Sequence, residues 1–374
     1  MKTAKKISIV LIAGLTVSIL LSSCQNNSEV KPQNDILPKS LSVEIPAAIT
    51  TASTAGGRID GRTQGDTLKG NDIYKNLALF IAVGKTASVI VDGFIDGIRK
   101  YHIDRVLTLT FKSDDDGRTK NMVVLSDVNY ENQTWDYELT VTDADSEGQP
   151  DGGKALQIFW NNSLPIKGIA IIKPYNCDRT KNVKMLDAIF RVDYTEGGSL
   201  GYDAQMEVRI AGLTLPSPLE DPYAINNLRM FVGKKGDVVD VYGNSNHPNA
   251  KFFTNAIGFN WAFVASGSDP KNIGVAEVGL PSNTLNSTDH KVLLKDNSIQ
   301  NVFAAQINAA WPGIDPKAVA AYLSNTAAPG YFGSKGFISG GTSPGAEWDA
   351  LASRLDGLTP YNPKEVNALT LSFK

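Results

Sequence analysis

Few of the side chains that carry catalysis or bind transition metals occur in this sequence. Its 374 residues include three histidines and two cysteines, which disfavours a metal centre built from several imidazole or thiolate ligands. The sequence also has no His-Glu-x-x-His pair and no phosphate-binding glycine loop, the patterns of zinc proteases and nucleotide hydrolases. We predict no catalytic residue from these patterns, and the composition favours a binding protein over an enzyme.

Positive charge is also scarce. The 36 Lys and Arg residues are outnumbered by 39 Asp and Glu residues, which gives a net charge of −3. Nucleic-acid binding relies on a basic surface that neutralises phosphates. The charge balance therefore argues against a nucleic-acid partner.

Long apolar runs are absent except near the N-terminus. Three lysines among the first six residues precede an apolar run from Ile7 to Leu21. This run has about fifteen residues, fewer than the roughly 20 that span a bilayer as a helix. A cationic head followed by a short apolar segment is typical of a secretory signal peptide.

The apolar run closes on Leu21-Ser22-Ser23-Cys24. These residues resemble the lipobox of bacterial lipoproteins, in which one apolar and two small residues precede the cysteine that receives lipid. The resemblance implies removal of residues 1–23, acylation of Cys24 (a palmitate-type modification) and attachment to a membrane through that lipid. The alternative is an ordinary secretory signal with an incidental cysteine. With Cys24 acylated, Cys177 is the remaining thiol, so we expect no intramolecular disulfide.

The residues that follow Cys24 bear on location. Residues 24–45 begin with a stretch rich in Asn, Gln, Ser and Pro, which is typical of a flexible tether. Gln25 is not the aspartate that retains lipoproteins in the inner membrane of enteric bacteria, so the resemblance implies the outer membrane. Surface lipoproteins of the Bacteroidota type carry an acidic cluster here, whereas Gln25 to Glu29 contains one acid. The face of the outer membrane is left open.

Helical periodicity first occurs from Asp72 to Tyr101. Apolar residues recur there at helical spacing, and additional apolar residues leave few polar positions around the helix. A helix this apolar is either enclosed by the protein or spans a membrane. Lys85 and Asp92, near its middle, favour the enclosed helix.

Between residues 105 and 280 the apolar pattern changes to alternation. About ten or eleven strands follow one another, joined by short links rich in Asp, Gly and Asn. Consecutive strands with such links and no intervening helix predict an antiparallel meander. A sheet of this size twists and curls, or closes into a barrel.

The C-terminal part, residues 298–368, returns to helical spacing. Within it Pro329–Gly345 is predicted to be a long ordered loop. After it, Leu369–Phe373 is predicted to be a final strand. We therefore predict one α+β domain over residues 46–374: a large curved antiparallel sheet, half-barrel or barrel-like, with the long apolar helix against its concave face. This architecture resembles the half-barrel lipoprotein carriers of bacterial envelopes, and the resemblance implies a ligand with acyl chains.

An acidic stretch offers a weak candidate for calcium. Asp143, Asp145, Glu147 and Asp151 occupy positions 1, 3, 5 and 9 of a loop with glycine at position 6, the spacing that begins a calcium loop. Position 12 is Lys154 instead of a bidentate glutamate. The pattern favours a solvated hairpin loop, and no cofactor other than this weak Ca²⁺ candidate is predicted.

A polar stretch from Gly243 to Ala250 contains Asn244, Asn246 and His247. Asparagine-rich segments often form turns that bond their own backbone. The functional alternative makes His247 a proton-transfer group or ligand, with the two asparagines orienting a polar ligand. We expect a structural turn and keep these three residues as candidate site residues.

Three functional hypotheses follow. The first is a non-catalytic envelope lipoprotein that binds an apolar or amphipathic ligand in the concavity of the sheet. The apolar wall of that site would consist of Phe80, Ile81, Val91 and Phe94. The second is a cell-surface glycan-binding or assembly protein, since many aromatic residues fall in the strand region. The third is a hydrolase with His247 in its cleft.

Overall fold

One large antiparallel sheet dominates the described part of the chain. The computed structural model describes residues 40–50, 70–99, 106–217, 223–250 and 258–374. Between 70 and 99, the side chains of residues 70–72, 76, 79, 80, 94 and 97–99 lie outside the described set. Each strand is hydrogen-bonded to the next one in sequence, so the sheet is a meander, and the predicted large antiparallel sheet is confirmed.

The thirteen strands lie between residues 107 and 340. They are β1 (Leu107–Lys112), β2 (Thr119–Tyr130), β3 (Gln133–Asp143), β4 (Lys154–Asn161), β5 (Lys167–Ile172), β6 (Ile189–Glu196), β7 (Ala204–Ala211), β8 (Leu228–Lys235), β9 (Val238–His247), β10 (Phe259–Ser268), β11 (Ile273–Gly279), β12 (Gly330–Gly333) and β13 (Gly336–Gly340). The first eleven strands coincide with the alternating segments of the sequence.

Two sequence-based expectations about the sheet are wrong, and of the half-barrel and barrel-like alternatives the closed barrel is excluded. The sheet is not closed into a barrel, because β1 pairs with β2 and β13 pairs with β12, while β1 and β13 do not pair with each other. Pro329–Gly345 is not all loop, since it contains β12 and β13. Leu369–Phe373 forms no strand; the tail instead bonds to side chains, as when Lys374 N donates to Gln157 Oε1 at 2.8 Å.

The helices lie before the first strand, after β5 and after β11. They are α1 (Ala47–Thr50), α2 (Gly70–Arg99), α3 (Pro174–Cys177), α4 (Ile299–Ala310), α5 (Pro316–Tyr322), α6 (Ala346–Leu355) and α7 (Pro363–Asn367). Short 3₁₀ turns occur at Ala144–Ser146 and Val183–Met185, and a π-helical turn at Lys291–Asp296. Ser298 caps α4 and Asp315 caps α5 by accepting from backbone N–H groups, as expected at helix starts.

The two faces of the sheet differ in what covers them. On the face that we call the helix face, β6, β7 and β8 contact α2, and alternate residues such as Val192, Val208 and Met230 are fully buried in the main core. On the opposite face, which we call the cleft face, α6 packs against β10 and β11 through Leu351 and Leu355. The centre of the cleft face carries charged side chains instead of an apolar core.

The segment Ser40–Thr50 lies along one end of the helix face. Leu41, Val43 and Ile45 are between 0 and 3% exposed. The methyl carbons of Leu41 lie where a Cβ at Gly168 would be, so β5 approaches this segment closely. Leu41 therefore already packs against the sheet, although composition assigned this residue to the tether.

The two charges in the middle of α2 hold this N-terminal segment. Asp92 accepts from the backbone N–H of Leu41 at 2.9 Å and from the hydroxyls of Ser40 and Ser42. Lys85 Nζ donates to the carbonyl of Ile45 at 3.3 Å. Both charges thus have a structural role in α2, and among the described residues no helix meets the length and hydropathy of a membrane span.

We expect Asp92→Ala to release the start of the domain. The substitution leaves the Leu41 N–H without its acceptor, and hydrogen bonds to a charged acceptor contribute roughly 1.5–3 kcal/mol. Amide hydrogen exchange over Ser40–Val43 should accelerate, while exchange in β6 to β9 should stay slow. Glu44→Ala removes an exposed carboxylate from the same segment and is the control. Equal exchange in both variants would contradict the assigned role of Asp92.

Candidate functional site

A cavity of about 330 Å³ opens on the cleft face. Strands β6 to β9, the β6–β7 turn and the segment after α6 form its walls. Its lining residues are Asp193, Tyr194, Thr195, Leu200, Gln205, Met206, Glu207, Arg209, Phe231, Tyr242 and Tyr361. A volume near the lower end of the range for small-molecule sites, combined with aromatic and polar walls, makes this cleft the candidate site.

Strand register places the charges of the cleft in two rows. Arg191 on β6 lies directly opposite Arg209 on β7, and Arg209 lies opposite Arg229 on β8. One step along the strands, Asp193 lies opposite Glu207. Like charges in directly opposed positions repel each other, so the row of arginines depends on the neighbouring carboxylates.

Arg191 is the most enclosed of these arginines, with 8% of its side chain exposed. Its Nη2 donates to Glu131 Oε2 at 2.7 Å and to Asp193 Oδ1 at 2.7 Å. Glu131 lies in the β2–β3 turn, so the tip of this hairpin reaches over the cleft face to β6. The guanidinium is therefore engaged by protein carboxylates, and it holds Asp193, which lines the cavity.

Glu207 is the centre of the second group of contacts. Arg229 donates to both of its oxygens at 3.2 Å, Tyr361 Oη donates to Oε2 at 2.7 Å, and Arg209 Nε contacts Oε1. Burial raises the pKa of this carboxyl, but the charge of Arg209 and the bonds from Tyr361 and Arg229 outweigh burial, so its pKa lies below the usual value. Glu207 is thus a fixed carboxylate at neutral pH.

Aromatic rings form the other wall of the cleft. Phe231 and Tyr242 stack with ring centroids 4.7 Å apart, and Tyr361 lies 5.6 Å from Tyr242. The Arg229 guanidinium lies 3.9 Å above the Tyr361 ring, a cation–π geometry. Burial and the charge of Glu207 raise the pKa of Tyr361, so its hydroxyl stays protonated and keeps donating.

These charge states make Glu207 unsuitable as a general acid. A glycosidase needs one carboxylic acid that is still protonated near neutral pH, whereas the pKa of Glu207 is lowered. The cleft offers a fixed carboxylate, the Arg209 guanidinium and aromatic rings. Such groups orient a polar ligand by hydrogen bonds and by stacking.

The candidate residues of the polar stretch lie on opposite faces of β9. His247 is fully buried on the helix face, stacked on Trp261 with centroids 4.6 Å apart, and its Nδ1 lies 2.9 Å from the carbonyl oxygen of Tyr223. Asn244 and Asn246 alternate with it, and Asn246 Nδ2 donates to Asn367 of α7. The stretch continues β9 as far as His247, so the expected turn at Asn244–His247 is wrong.

The four residues of the predicted apolar wall are only partly described. Ile81 and Val91 are fully buried in the main core. The side chains of Phe80 and Phe94 lie outside the described residues. An apolar ligand beside α2 stays a prediction, which mass spectrometry of gently extracted protein would test by detecting a bound lipid.

The acidic loop is engaged by cationic side chains. Asp143 is fully buried and accepts from Arg118 Nε at 2.6 Å and Lys120 Nζ at 2.8 Å, while Asp151 pairs with Lys173 at 2.7 Å. Asp145 lies 3.6 Å from Arg118 Nη2.

Glu147 accepts from Asn121 at 2.9 Å. All four acids therefore have protein partners, and Asp143 and Asp145 share Arg118. No group of three or more metal-binding side chains occurs among the residues described.

The expectation from the sequence that no Gly-x-Ser-x-Gly stretch occurs is wrong, since one lies between β13 and α6. Gly341 to Gly345 has the Gly-x-Ser-x-Gly spacing of a hydrolase nucleophile elbow. Ser343 Oγ instead contacts the backbone of Gly345 at 3.2 Å. Of the described histidines, His290 bonds the Leu358 carbonyl at 2.7 Å and His247 is buried beside Trp261, so the described residues assign no general base to Ser343.

The sequence-based interpretation did not identify the charged residues of the cleft as site residues, although their alternation with apolar residues is visible in the sequence. Arg191 and Asp193 alternate with apolar residues on β6, Glu207 and Arg209 alternate on β7, and Arg229 follows on β8. One sheet face that repeatedly carries charge in consecutive strands indicates a face without an apolar core. The tertiary position of Tyr361 has no such signal.

The fold and the cleft thus define an α+β domain with a ligand-sized site on one face of an open antiparallel meander. Searches of protein-family models, of curated proteins and of solved structures return no match to this chain.

Proposed function

We propose that this protein is a lipid-anchored envelope protein whose folded domain binds a glycan in the cleft on β6 to β9. The observation that carries the proposal is the pairing of half-buried aromatic rings with fixed charge in one ligand-sized cavity. Sugar rings present an apolar face and a rim of hydroxyl groups. The Tyr242 and Tyr361 rings suit contact with the apolar face. The Glu207 carboxylate and Arg209 guanidinium suit hydrogen bonds with the hydroxyl groups.

The hydrogen-bonding capacity of the wall supports a ligand rich in hydroxyl groups. Arg209 lines the cavity, contacts Glu207 through Nε and has Nη2 3.6 Å from Asp193. Gln205, whose side chain carries an amide, lines the same cavity.

Anchoring through Cys24 is the other half of the proposal. Its support is the apolar run and the Leu21-Ser22-Ser23-Cys24 sequence. Under this proposal residues 1–23 are removed, the outer membrane holds the lipid, and the cleft faces the glycans of the envelope.

Binding to soluble polysaccharides tests the cleft. We expect Tyr242→Ala to weaken retention on the polysaccharide that the wild type binds by at least about tenfold, equivalent to roughly 1.4 kcal/mol, because a stacking surface is lost. Affinity electrophoresis against neutral and uronate-containing polysaccharides gives the measurement.

Tyr175→Ala is the matched control. Tyr175 lies on α3, away from the cleft, is also half-buried, and has the Arg179 guanidinium over its ring. Failure of the wild type to bind any member of the panel would contradict the glycan proposal. So would equal binding by the Tyr242→Ala variant.

A further inference from the structure

The hairpin turns at one end of the sheet carry the most exposed leucines of the described residues. In a meander, alternate turns lie at the same end, so the β4–β5 and β6–β7 turns are neighbours there. Leu164 in the first turn is 81% exposed, and Leu200 in the second is 59% exposed. The two turns are separated by two strand spacings, roughly 10 Å.

The N-terminal segment enters the fold at this same end. Leu41 packs on Gly168, the second residue of β5, and Ala47 N donates to Asp269 in the β10–β11 turn at 3.0 Å. The described chain begins at Ser40, beside β5. Ser40 therefore lies near the β4–β5 turn, on the leucine-bearing end.

The length of chain before Ser40 sets how far this end can stand from the anchor. Gln25 to Lys39 is fifteen residues. The composition of this segment predicts a flexible tether. Such a tether of fifteen residues would have a root-mean-square span of roughly 20 Å, shorter than the roughly 30–40 Å length of the longer strands. A lipid on Cys24 would therefore keep the leucine-bearing end closer to the bilayer than the opposite end.

We propose that this end of the sheet docks on the membrane that holds the Cys24 lipid, with Leu164 inserted among the lipid headgroups and upper acyl chains. Leu200 also lines the cleft, so it enters the headgroup layer at the rim of the cleft, and the docked cleft opens beside the headgroups. The inference rests on the lipid anchor of the proposed function. Single exposed leucines are ordinary on a protein surface. Here two of them flank the entry of a short tether, and insertion removes their apolar surface from water.

Site-directed spin labelling of the lipidated full-length mature protein tests the docking. In that protein Cys24 carries lipid, and burial raises the pKa of the Cys177 thiol to about 12, so an introduced cysteine is the reactive thiol. Leu164→Cys and Leu200→Cys are labelled with a nitroxide, and the protein is reconstituted into phosphatidylethanolamine and phosphatidylglycerol vesicles. Val183→Cys is the control, because Val183 is 61% exposed in the β5–β6 connection at the opposite end.

We expect the nitroxides at 164 and 200 to lose collisions with a water-soluble nickel complex and to gain collisions with oxygen when vesicles are present. The nitroxide at 183 should keep its collisions with nickel. Nickel access at 164 and 200 equal to that at 183 would overturn the docking and leave the anchor intact. Mass spectrometry of the N-terminal peptide separates the two proposals, since an unmodified Cys24 would overturn the anchor and the docking together.

Discussion

Replacing Lys120 with methionine is expected to lower the free energy of unfolding by about 3–5 kcal/mol, the usual cost of breaking a buried ion pair from one side. Lys120 Nζ lies 2.8 Å from Asp143 Oδ2 and 3.1 Å from Asp116 Oδ2, and both carboxylates are fully buried. It also donates to the carbonyl of Asn176 at 2.8 Å. Methionine fills a similar volume but leaves these acceptors without their shared donor. Urea unfolding of the purified protein measures the loss.

Lys181→Met is the control for this prediction. Lys181 is 60% exposed and pairs with Asp115 at 3.1 Å and Asp178 at 3.2 Å. Exposed pairs contribute about 0–1 kcal/mol, so the control should unfold close to the wild type. If both variants lost the same small amount, the cluster around Asp143 would not be a stabilising unit.

The same cluster shows which contacts the acidic stretch of the sequence cannot predict. Spacing along the chain shows which acids can converge, but it does not show which cations the fold brings to them. Arg118 and Lys120 come from β2 and the turn before it, and each bonds Asp143 at the end of β3. The hydrogen bonds from Arg118 and Lys120 outweigh burial and hold the pKa of Asp143 below its usual range. Calcium ligation by this residue would need both cations to move away.

The strands were predictable because their signal is local. Alternation of apolar and polar residues and Asp, Gly or Asn at the turns act within a few residues, and β1 to β11 follow these patterns. The strands β12 and β13 were missed because each begins and ends with glycine. A Cβ at Gly330 would lie 2.6 Å from the Tyr74 ring, so glycine there reflects close packing on α2 and not a loop.

The cleft depends on register and on tertiary contact, which sequence patterns do not specify. Arg191, Arg209 and Arg229 are adjacent only because the β6–β7 and β7–β8 connections set their pairing. Tyr361 reaches Glu207 from a position 154 residues later in the chain. Asparagines suggested a turn at Asn244, but β9 continues to His247. Tertiary partners take up the amide N–H groups there, as when Asn244 Nδ2 donates to Asn260 Oδ1 at 3.1 Å.

Below pH 6.5 the folded state is expected to lose about 1.4 kcal/mol of stability per pH unit through His247 alone. Burial lowers the pKa of His247 to about 3, although its bond to the Tyr223 carbonyl acts in the opposite direction. An unfolded chain has this imidazole near pKa 6.5, so between these pH values the unfolded state binds more protons. The stability is complete above pH 6.5 and falls as the pH drops toward 3.

The comparison of the wild type with His247→Gln isolates this contribution, because the carboxylates titrate equally in both proteins. At pH 8 the imidazole is neutral in both states, so the difference in unfolding free energy there reports packing against Trp261 and the bond to Ser245. Between pH 6.5 and 4 the wild type should lose stability more steeply than the glutamine variant, as measured by urea unfolding at each pH. Parallel pH profiles would mean that His247 is protonated in the folded protein, and therefore that it is reached by water and is not enclosed between β9 and β10.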